Sequence, residues 1–276
     1  MNNENELIMP KHIAMVLDGN RRWAKEKGMP TLKGHQKGFE NIRDLTPYIF
    51  DRGVEVLSVY AFSEQNFNRS EDEVTYLMDI FVNMFKNECE KIHKENIRIV
   101  FSGRRNRLRK DVIEAMDEIT ERTKNNTKGT FNICLGYSGQ QEVCDMTKKL
   151  CEMYKNGEIS LDEITPEYVQ TKLYQDLPPV DLMIRTSGEY RLSNFMMYQN
   201  SYAEFYFPDV YFPDFSKEEF LKEHNAVELI EVLEEVKPKV EKVEPKKVET
   251  PKIEKVEEKP IAKEVPEEVI QVEVEH

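Results

Sequence analysis

The sequence predicts an α/β fold in which a six-stranded, mainly parallel sheet is flanked by helices. Three observations predict it. Six short apolar runs of strand length alternate with segments of helical periodicity between His12 and Phe207. The strands read as near-continuous apolar runs, such as VEVLSVYAF, which suits a sheet covered on both faces. Polar clusters follow the first, second and fifth strands, and in parallel sheets ligands bind at the carboxyl ends.

The first strand, Ile13–Leu17, stops at Asp18-Gly19-Asn20, a turn-forming trio that leads into a helix over Arg21–Lys27. A helix start offers free N–H groups to a phosphate, and Gly19 lets the backbone come close. Arg21 and Arg22 add permanent positive charge, and Asp18 is a hard oxygen ligand suited to Mg2+. The same residues read equally well as a plain strand-to-helix turn with solvated arginines. Residues elsewhere in the chain must decide.

Gly28–Gly38 reads as a glycine-punctuated loop containing His35, followed by a helix over Phe39–Asp51 and a stop at Gly53. Strand two, Val54–Phe62, delivers Ser63-Glu64-Gln65-Asn66-Phe67-Asn68-Arg69-Ser70 at its end. Glu71–Asn96 carries one long helical stripe that includes Leu77, Phe81, Phe85 and Ile92. Such a stripe can line a lipid tunnel, and equally can be ordinary core. Strand three is Ile97–Phe101, then a helix over Leu108–Lys124, strand four at Thr130–Leu135 and a helix over Gln140–Tyr154. A short helical connection falls in Ser160–Tyr174, with Thr165-Pro166 as cap and first position. Strand five, Val180–Ile184, ends in the polar stretch Arg185–Asn194. A short helix over Phe195–Asn200 and strand six, Ala203–Phe207, complete the set.

Charge is uneven along the 276 residues, whose formal net charge is −13. From Glu228 onward there are 15 Glu and 9 Lys, a net of −6 that leaves −7 on the remainder. An acidic chain lacks the basic footprint of a nucleic-acid binder. Cys89, Cys134, Cys144 and Cys151 form no CxxC pair or short Cys/His cluster, which disfavours disulfide and zinc frameworks and fits reduced thiols in the cytoplasm. No signal peptide is expected in MNNENELIMP, and no apolar run reaches the length of a membrane span. The expected organisation is a flexible start over 1–9, one domain over 10–227 and a disordered Glu/Lys/Val/Pro-rich tail over 228–276, read as a spacer.

The three strand-end clusters bring Asp18, Asn20, Arg22, Arg69, Arg185, Arg191 and Ser193 toward one edge of the predicted sheet. Four arginines at strand ends in an acidic chain point to anionic ligands.

HIAMVLDGNRRWAK, GHQKG, YAFSEQNFNRS, VDLMIRTSGEYRLSNF and YAEFYF, in this order across Pro10–Phe215, resemble the cis-prenyltransferases, the undecaprenyl diphosphate synthase family. The resemblance implies a homodimer, a hydrophobic tunnel beside the sheet, and Mg2+-dependent addition of isopentenyl diphosphate to an allylic diphosphate primer, usually farnesyl diphosphate. It assigns Asp18 to Mg2+ and to triggering loss of the allylic diphosphate, and Glu204 to a second Mg2+ ligand. Gly19, Asn20, Arg21, Arg22 and Trp23 would hold the primer, with Thr31 and His35 near the diphosphates. Asn66 holds the position proposed as proton acceptor. Arg69, Arg185, Arg191 and Ser193 would clamp isopentenyl diphosphate, and Ser63, Glu64, Gln65, Phe67 and Leu192 join the substrate contacts. Peripheral membrane contact during product release is also implied.

The chain departs from the family pattern at Thr31, Gln65, Phe67, Arg104 and the run Gly136-Tyr137-Ser138-Gly139-Gln140. Thr31 removes a diphosphate contact that Arg21 or Lys33 could replace. A non-catalytic partner subunit is the alternative reading. A nucleotide-binding module is disfavoured, because the first strand leads into neither a GxGxxG turn nor a P-loop.

Overall fold

The computed structural model describes residues 9–222. The expectations for the first eight residues and for the tail from 228 lie outside the described residues.

Six parallel strands form one sheet in the order β3-β4-β2-β1-β5-β6. They are β1 His12–Val16, β2 Val56–Ser63, β3 Ile97–Ser102, β4 Gly129–Tyr137, β5 Leu182–Arg185 and β6 Glu204–Tyr206. All five pairings are parallel. β1 lies between β2 and β5, so the chain passes to opposite sides of β1 there. The carboxyl ends of these three strands flank the resulting crevice.

The helices are α1 Asn20–Glu26, α2 Thr31–Phe50, α3 Glu71–Asn83, α4 Cys89–Lys94, α5 Lys110–Thr123, α6 Gly139–Lys155, α7 Pro166–Gln170 and α8 Lys217–Lys222. Alternate strand residues face opposite ways. Ile13, Met15, Leu57, Val59, Phe131 and Ile133 enter the main core, together with residues of α2 to α5 such as Leu45, Phe81, Ile92 and Met116. Ala14, Val16 and Cys134 enter a second, smaller core with Phe195 and Met196. A polar string also crosses that second face. His12 Nε2 lies 2.8 Å from Ser58 Oγ, Asn132 Nδ2 donates to Ser58 Oγ at 3.0 Å, and Ser102 Oγ donates to Asn132 Oδ1 at 2.9 Å.

Three sequence expectations need correction. Gly28–Gly38 is mostly not a loop: from Thr31 it is helix α2, and His35 projects from it. A Cβ on Gly34 would meet Asn20 O at 1.9 Å, and one on Gly38 would meet Asn20 Oδ1 at 2.1 Å. These glycines therefore serve the close approach of α1 to α2, a tertiary contact invisible in local composition. The long helix over 71–96 is interrupted by a π turn at Met84–Glu88 between α3 and α4. Phe195–Asn200 is a series of turns, and its entry, with Ser193, Asn194 and Met196 all at positive φ, does not suit a helix.

Candidate active site

Asp18 is held by its neighbours on three sides. Its backbone carbonyl accepts from Thr186 Oγ1 at 2.8 Å and from Phe212 N–H at 3.0 Å. Gly19 N–H donates to Asp18 Oδ1 at 2.7 Å, and Arg185 Nη2 donates to Asp18 Oδ2 at 2.8 Å. Gly19 sits at φ 99°, and a Cβ there would strike the Tyr211 ring at 2.6 Å, so this turn requires glycine. Burial pushes the Asp18 carboxyl upward, but the Arg185 and Gly19 hydrogen bonds and the Arg185 and Arg22 charges outweigh it and hold it below the usual value. It is a carboxylate at neutral pH.

Asp18, Asn20, His35, Ser63, Gln65, Asn66, Arg69, Arg185 and Ser193 all line one cavity of about 560 Å³. Gly19, Arg21, Arg22 and Thr31 line a recess of about 640 Å³ beside it, which shares Asp18, Asn20, His35 and Arg69. Lys25 is in that recess, whereas Lys33 reaches Gln36 at 3.0 Å. The positive charge beside Thr31 therefore comes from Arg21 and Lys25. The anion-receptive character rests on these side chains, since α1 is under two turns long.

The cations are already engaged with internal groups. Arg185, 4 % exposed, donates from Nη1 to Ser193 Oγ at 2.7 Å, and its Nε has no partner. Arg22 Nη1 lies 2.8 Å from Glu189 Oε1, and Arg22 also donates to Ser187 Oγ. Arg191 pairs with Glu189. Arg69 Nη1 donates to Glu73 Oε1 at 2.9 Å, and His35 Nε2 lies 3.2 Å from the same oxygen. Burial lowers the His35 pKa, and the Arg69 and Arg21 charges add to this against the pull of Glu73.

Asn66 has a second task. Its Oδ1 accepts from Ser63 N–H at 2.9 Å while Ser63 Oγ accepts from Asn66 N–H at 3.2 Å, a reciprocal cap on the 3-10 turn Glu64–Asn68. One lone pair of the amide oxygen is thereby committed to the turn.

An apolar crevice continues from the polar cavity, between α2, α3 and the sheet. It measures about 80 Å³ and is lined by Leu17, Ile42, Val59, Leu77 and Ile80 together with the larger side chains of Phe39, Phe81, Met84 and Phe131. Where the tunnel is expected, the described residues form this small crevice, and Met84, the first residue of the π turn, is among its lining.

Several expected site residues stand elsewhere. Trp23 is buried, with Lys27 over its ring. Leu192 packs against the second core. Glu64 and Phe67 contact Arg107. Arg191 contributes its carbonyl to Arg185, while its side chain turns outward to Glu189. Glu204 opens β6 and is level with Leu182, which is level with Ile13. At the strand rise, the five positions from Ile13 to Asp18 put about 16 Å between those levels. Asp18 and Glu204 therefore do not meet within one chain. Among the described residues no cluster of three or more His, Cys, Asp or Glu could hold a metal ion.

Residues that sequence reasoning passed over include Tyr60 and Asn194 on the cavity wall, and Glu73 and Glu189 behind the arginines. Asn194 also receives Gln140 N–H on Oδ1 at 2.8 Å and donates to Ser138 Oγ at 2.7 Å, tying the Ser193 loop to the start of α6. The departures from the family pattern have partners of their own: Arg104 Nε lies 3.2 Å from Asp145 Oδ2, and Arg107 covers Phe67.

A parallel sheet whose carboxyl rim gathers arginines and a carboxylate above an apolar crevice defines the class of protein, an α/β protein with an anion-receptive edge. Comparison with known proteins makes this particular. The family model described as "Putative undecaprenyl diphosphate synthase" matches residues 16–227. A ditrans,polycis-undecaprenyl-diphosphate synthase, (2E,6E)-farnesyl-diphosphate specific, from Haemophilus ducreyi is 43% identical over 203 residues, 73% of this chain and 84% of that protein. A trans,polycis-polyprenyl diphosphate synthase, (2Z,6E)-farnesyl diphosphate specific, from Thermobifida fusca is 41% identical over 203 residues, 73% of this chain and 72% of that protein. The structure of lavandulyl diphosphate synthase from Lavandula x intermedia with dimethylallyl diphosphate superimposes with a TM-score of 0.77 at 30% identity, covering 80% of this chain and 96% of that one. The chain belongs to the cis-prenyltransferase family, and it is a transferase of prenyl groups.

Proposed function

We propose that the protein condenses isopentenyl diphosphate with an allylic diphosphate primer, farnesyl diphosphate, in a Mg2+-dependent reaction that lengthens a Z-polyprenyl diphosphate to the undecaprenyl product. The observation that carries this reading is the common cavity: Asp18, Arg69, Arg185 and Ser193 share one wall system with Asn66, and the apolar crevice leads away from it.

Mg2+ is bound in such sites through one or two carboxylates together with substrate phosphate oxygens and water. The ionised Asp18 suits that donor set, and Mg2+ there would neutralise diphosphate charge. Arg21, Arg22 and Lys25 hold the primer head in the recess, while Arg185, Ser193 and Arg69 hold the isopentenyl head in the cavity. The arginines stabilise the departing diphosphate more strongly than the ester it leaves, which lowers the barrier. As the allylic C–O bond breaks, the isopentenyl double bond attacks the allylic carbon, and the proton then released beside Asn66 is taken up by the departing diphosphate. The hydrocarbon lies along the crevice and parts Phe39, Phe81, Met84 and Phe131 as it lengthens. Each added unit buries about five carbons, worth roughly 3–4 kcal/mol, which retains the growing chain.

The assembly is a homodimer working in the cytoplasm, with membrane contact only at product release. Support comes from the β6 edge, where Phe205 and Tyr202 are exposed and Phe207 lies between Phe205 and Tyr190. An aromatic edge strand of this kind is normally covered. The Glu204 metal role then belongs to a site completed by a second copy. No helix among the described residues is long and apolar enough to cross a membrane.

The deciding experiment supplies purified full-length protein with labelled isopentenyl diphosphate, farnesyl diphosphate and Mg2+. Label is expected in butanol-extractable lipid, with none after EDTA. Absence of label with farnesyl and longer or shorter primers alike would favour a non-catalytic subunit.

A further inference from the structure

We propose that Arg107, in the loop between β3 and α5, is a positioning residue that pins the Glu64–Asn68 turn and so sets where Asn66 and Arg69 stand on the cavity wall. The consequence for turnover rests on the prenyl-transfer reading above.

The turn needs an external anchor. None of its five residues is buried. The Ser63 and Asn66 reciprocal cap ties the turn to the end of β2, and Arg69 N–H to Asn66 O at 3.1 Å closes it, so its remaining hold must come from its outward side chains. Its one aromatic anchor is Phe67, which meets the Phe62 ring edge-on at 4.8 Å.

Arg107 supplies the rest. Its guanidinium carbon lies 4.3 Å from the centre of the Phe67 ring, and its Nη1 donates to Glu64 Oε1 at 3.0 Å. Glu64 and Phe67 are three residues apart, and in a 3-10 turn side chains at that spacing are stacked one above the other. One planar guanidinium can therefore stack on the ring and bond the carboxylate together, which a lysine ammonium does less well. The other Glu64 oxygen is shielded from solvent and has no partner. The Arg107–Glu64 pair is partly exposed, so without Arg107 the carboxylate loses its counter-ion and the turn swings outward to hydrate it more fully.

The loop carrying Arg107 is itself held. Arg104 N–H donates to Gly136 O at 3.1 Å, Leu108 is buried, and Arg109 pairs with Asp79 of α3 at 2.8 Å. Neither Arg107 nor Glu64 lines the cavity, so both act through Asn66 and Arg69.

The test uses the full chain as wild type, Arg107→Ala, Arg107→Lys, Glu64→Gln and the Arg107→Ala/Glu64→Gln double variant. Amide hydrogen exchange over residues 63–70, the KM for isopentenyl diphosphate, kcat and the melting midpoint are read for each. Arg107→Ala is expected to speed exchange in that segment and raise the KM, each by roughly tenfold, equivalent to about 1.4 kcal/mol, and to lower kcat as Asn66 is displaced, with the melting midpoint little changed. The double variant recovers part of the loss, because the stranded charge is gone while the contact over Phe67 is not restored, and Arg107→Lys also recovers part of it. Unchanged exchange and KM in Arg107→Ala, or no recovery in the double variant, overturns the proposal. If Arg107→Ala fails to fold, the same comparison is made between Arg107→Lys and wild type. Should the wild type transfer no prenyl group, the prenyl-transfer reading fails while the exchange measurement still decides on Arg107.

Discussion

Arg185 Nη2 and Asp18 Oδ2 lie 2.8 Å apart, joining the carboxyl ends of two adjacent strands, β1 and β5. Each side chain is the other's counter-ion. Cation binding at Asp18 and diphosphate binding at Arg185 must both loosen this pair, so the two events are energetically linked under the proposed reaction.

Asp18→Ala is expected to lower prenyl transfer by at least about 100-fold, the scale of losing a main electrostatic contributor. It should also destabilise the fold by roughly 1–3 kcal/mol, because Arg185 stays buried without its partner. Urea unfolding measures the second effect. A variant as stable as wild type would show that Arg191 O and Ser193 Oγ suffice for the Arg185 charge.

Gly38→Ala places a methyl 2.1 Å from Asn20 Oδ1. The Asn20 side chain must turn away, at a cost of about 1–3 kcal/mol for overpacking. Since Asn20 lines both the cavity and the recess, activity should fall with stability. Thermal melting together with the label assay checks this. Unaltered melting would mean that the Asn20 side chain turns away without cost.

Stability should decline as pH falls below the ordinary imidazole value of 6.5. Burial lowers the pKa of both His12 and His35, so the unfolded chain binds more protons just below that value. Unfolding free energy then rises with pH through that window and is lost on acidification. Urea midpoints at pH 7 and pH 5 are the measurement, and His35→Gln should reduce the difference. Asp18 acts only in more acidic solution, where its lowered pKa is reached.

Mixing Asp18→Ala with Glu204→Ala chains distinguishes a shared metal site from a single-chain one. If Glu204 serves the partner's Asp18, random pairing in a two-fold dimer restores roughly a quarter of wild-type activity. Failure to complement, with each variant dimeric by sedimentation and inactive alone, would overturn the shared site.

Much of the site was legible because its signals are local. Asp18-Gly19-Asn20, the Ser63–Arg69 run and the Arg185–Ser193 run each follow an apolar strand, and parallel topology gathers strand ends without further information. Thr165-Pro166 capped and opened α7 as its local chemistry dictates. Gly34 and Gly38 misled for the opposite reason: punctuation of a loop and close packing of two helices have the same composition. The π turn at Met84–Glu88 interrupts a continuous apolar stripe, and helical periodicity alone does not reveal it.

The sequence by itself determined the parallel α/β class, the strand-end clusters and the family, since these rest on apolar periodicity and short motifs. Only the tertiary structure decided which charges face one another: Arg185 with Asp18, Glu189 with Arg22, Arg107 with Glu64, and Glu204 at the far edge. Strand order and register control these pairings, and both arise from long-range packing of the whole sheet, which no local stretch of residues encodes.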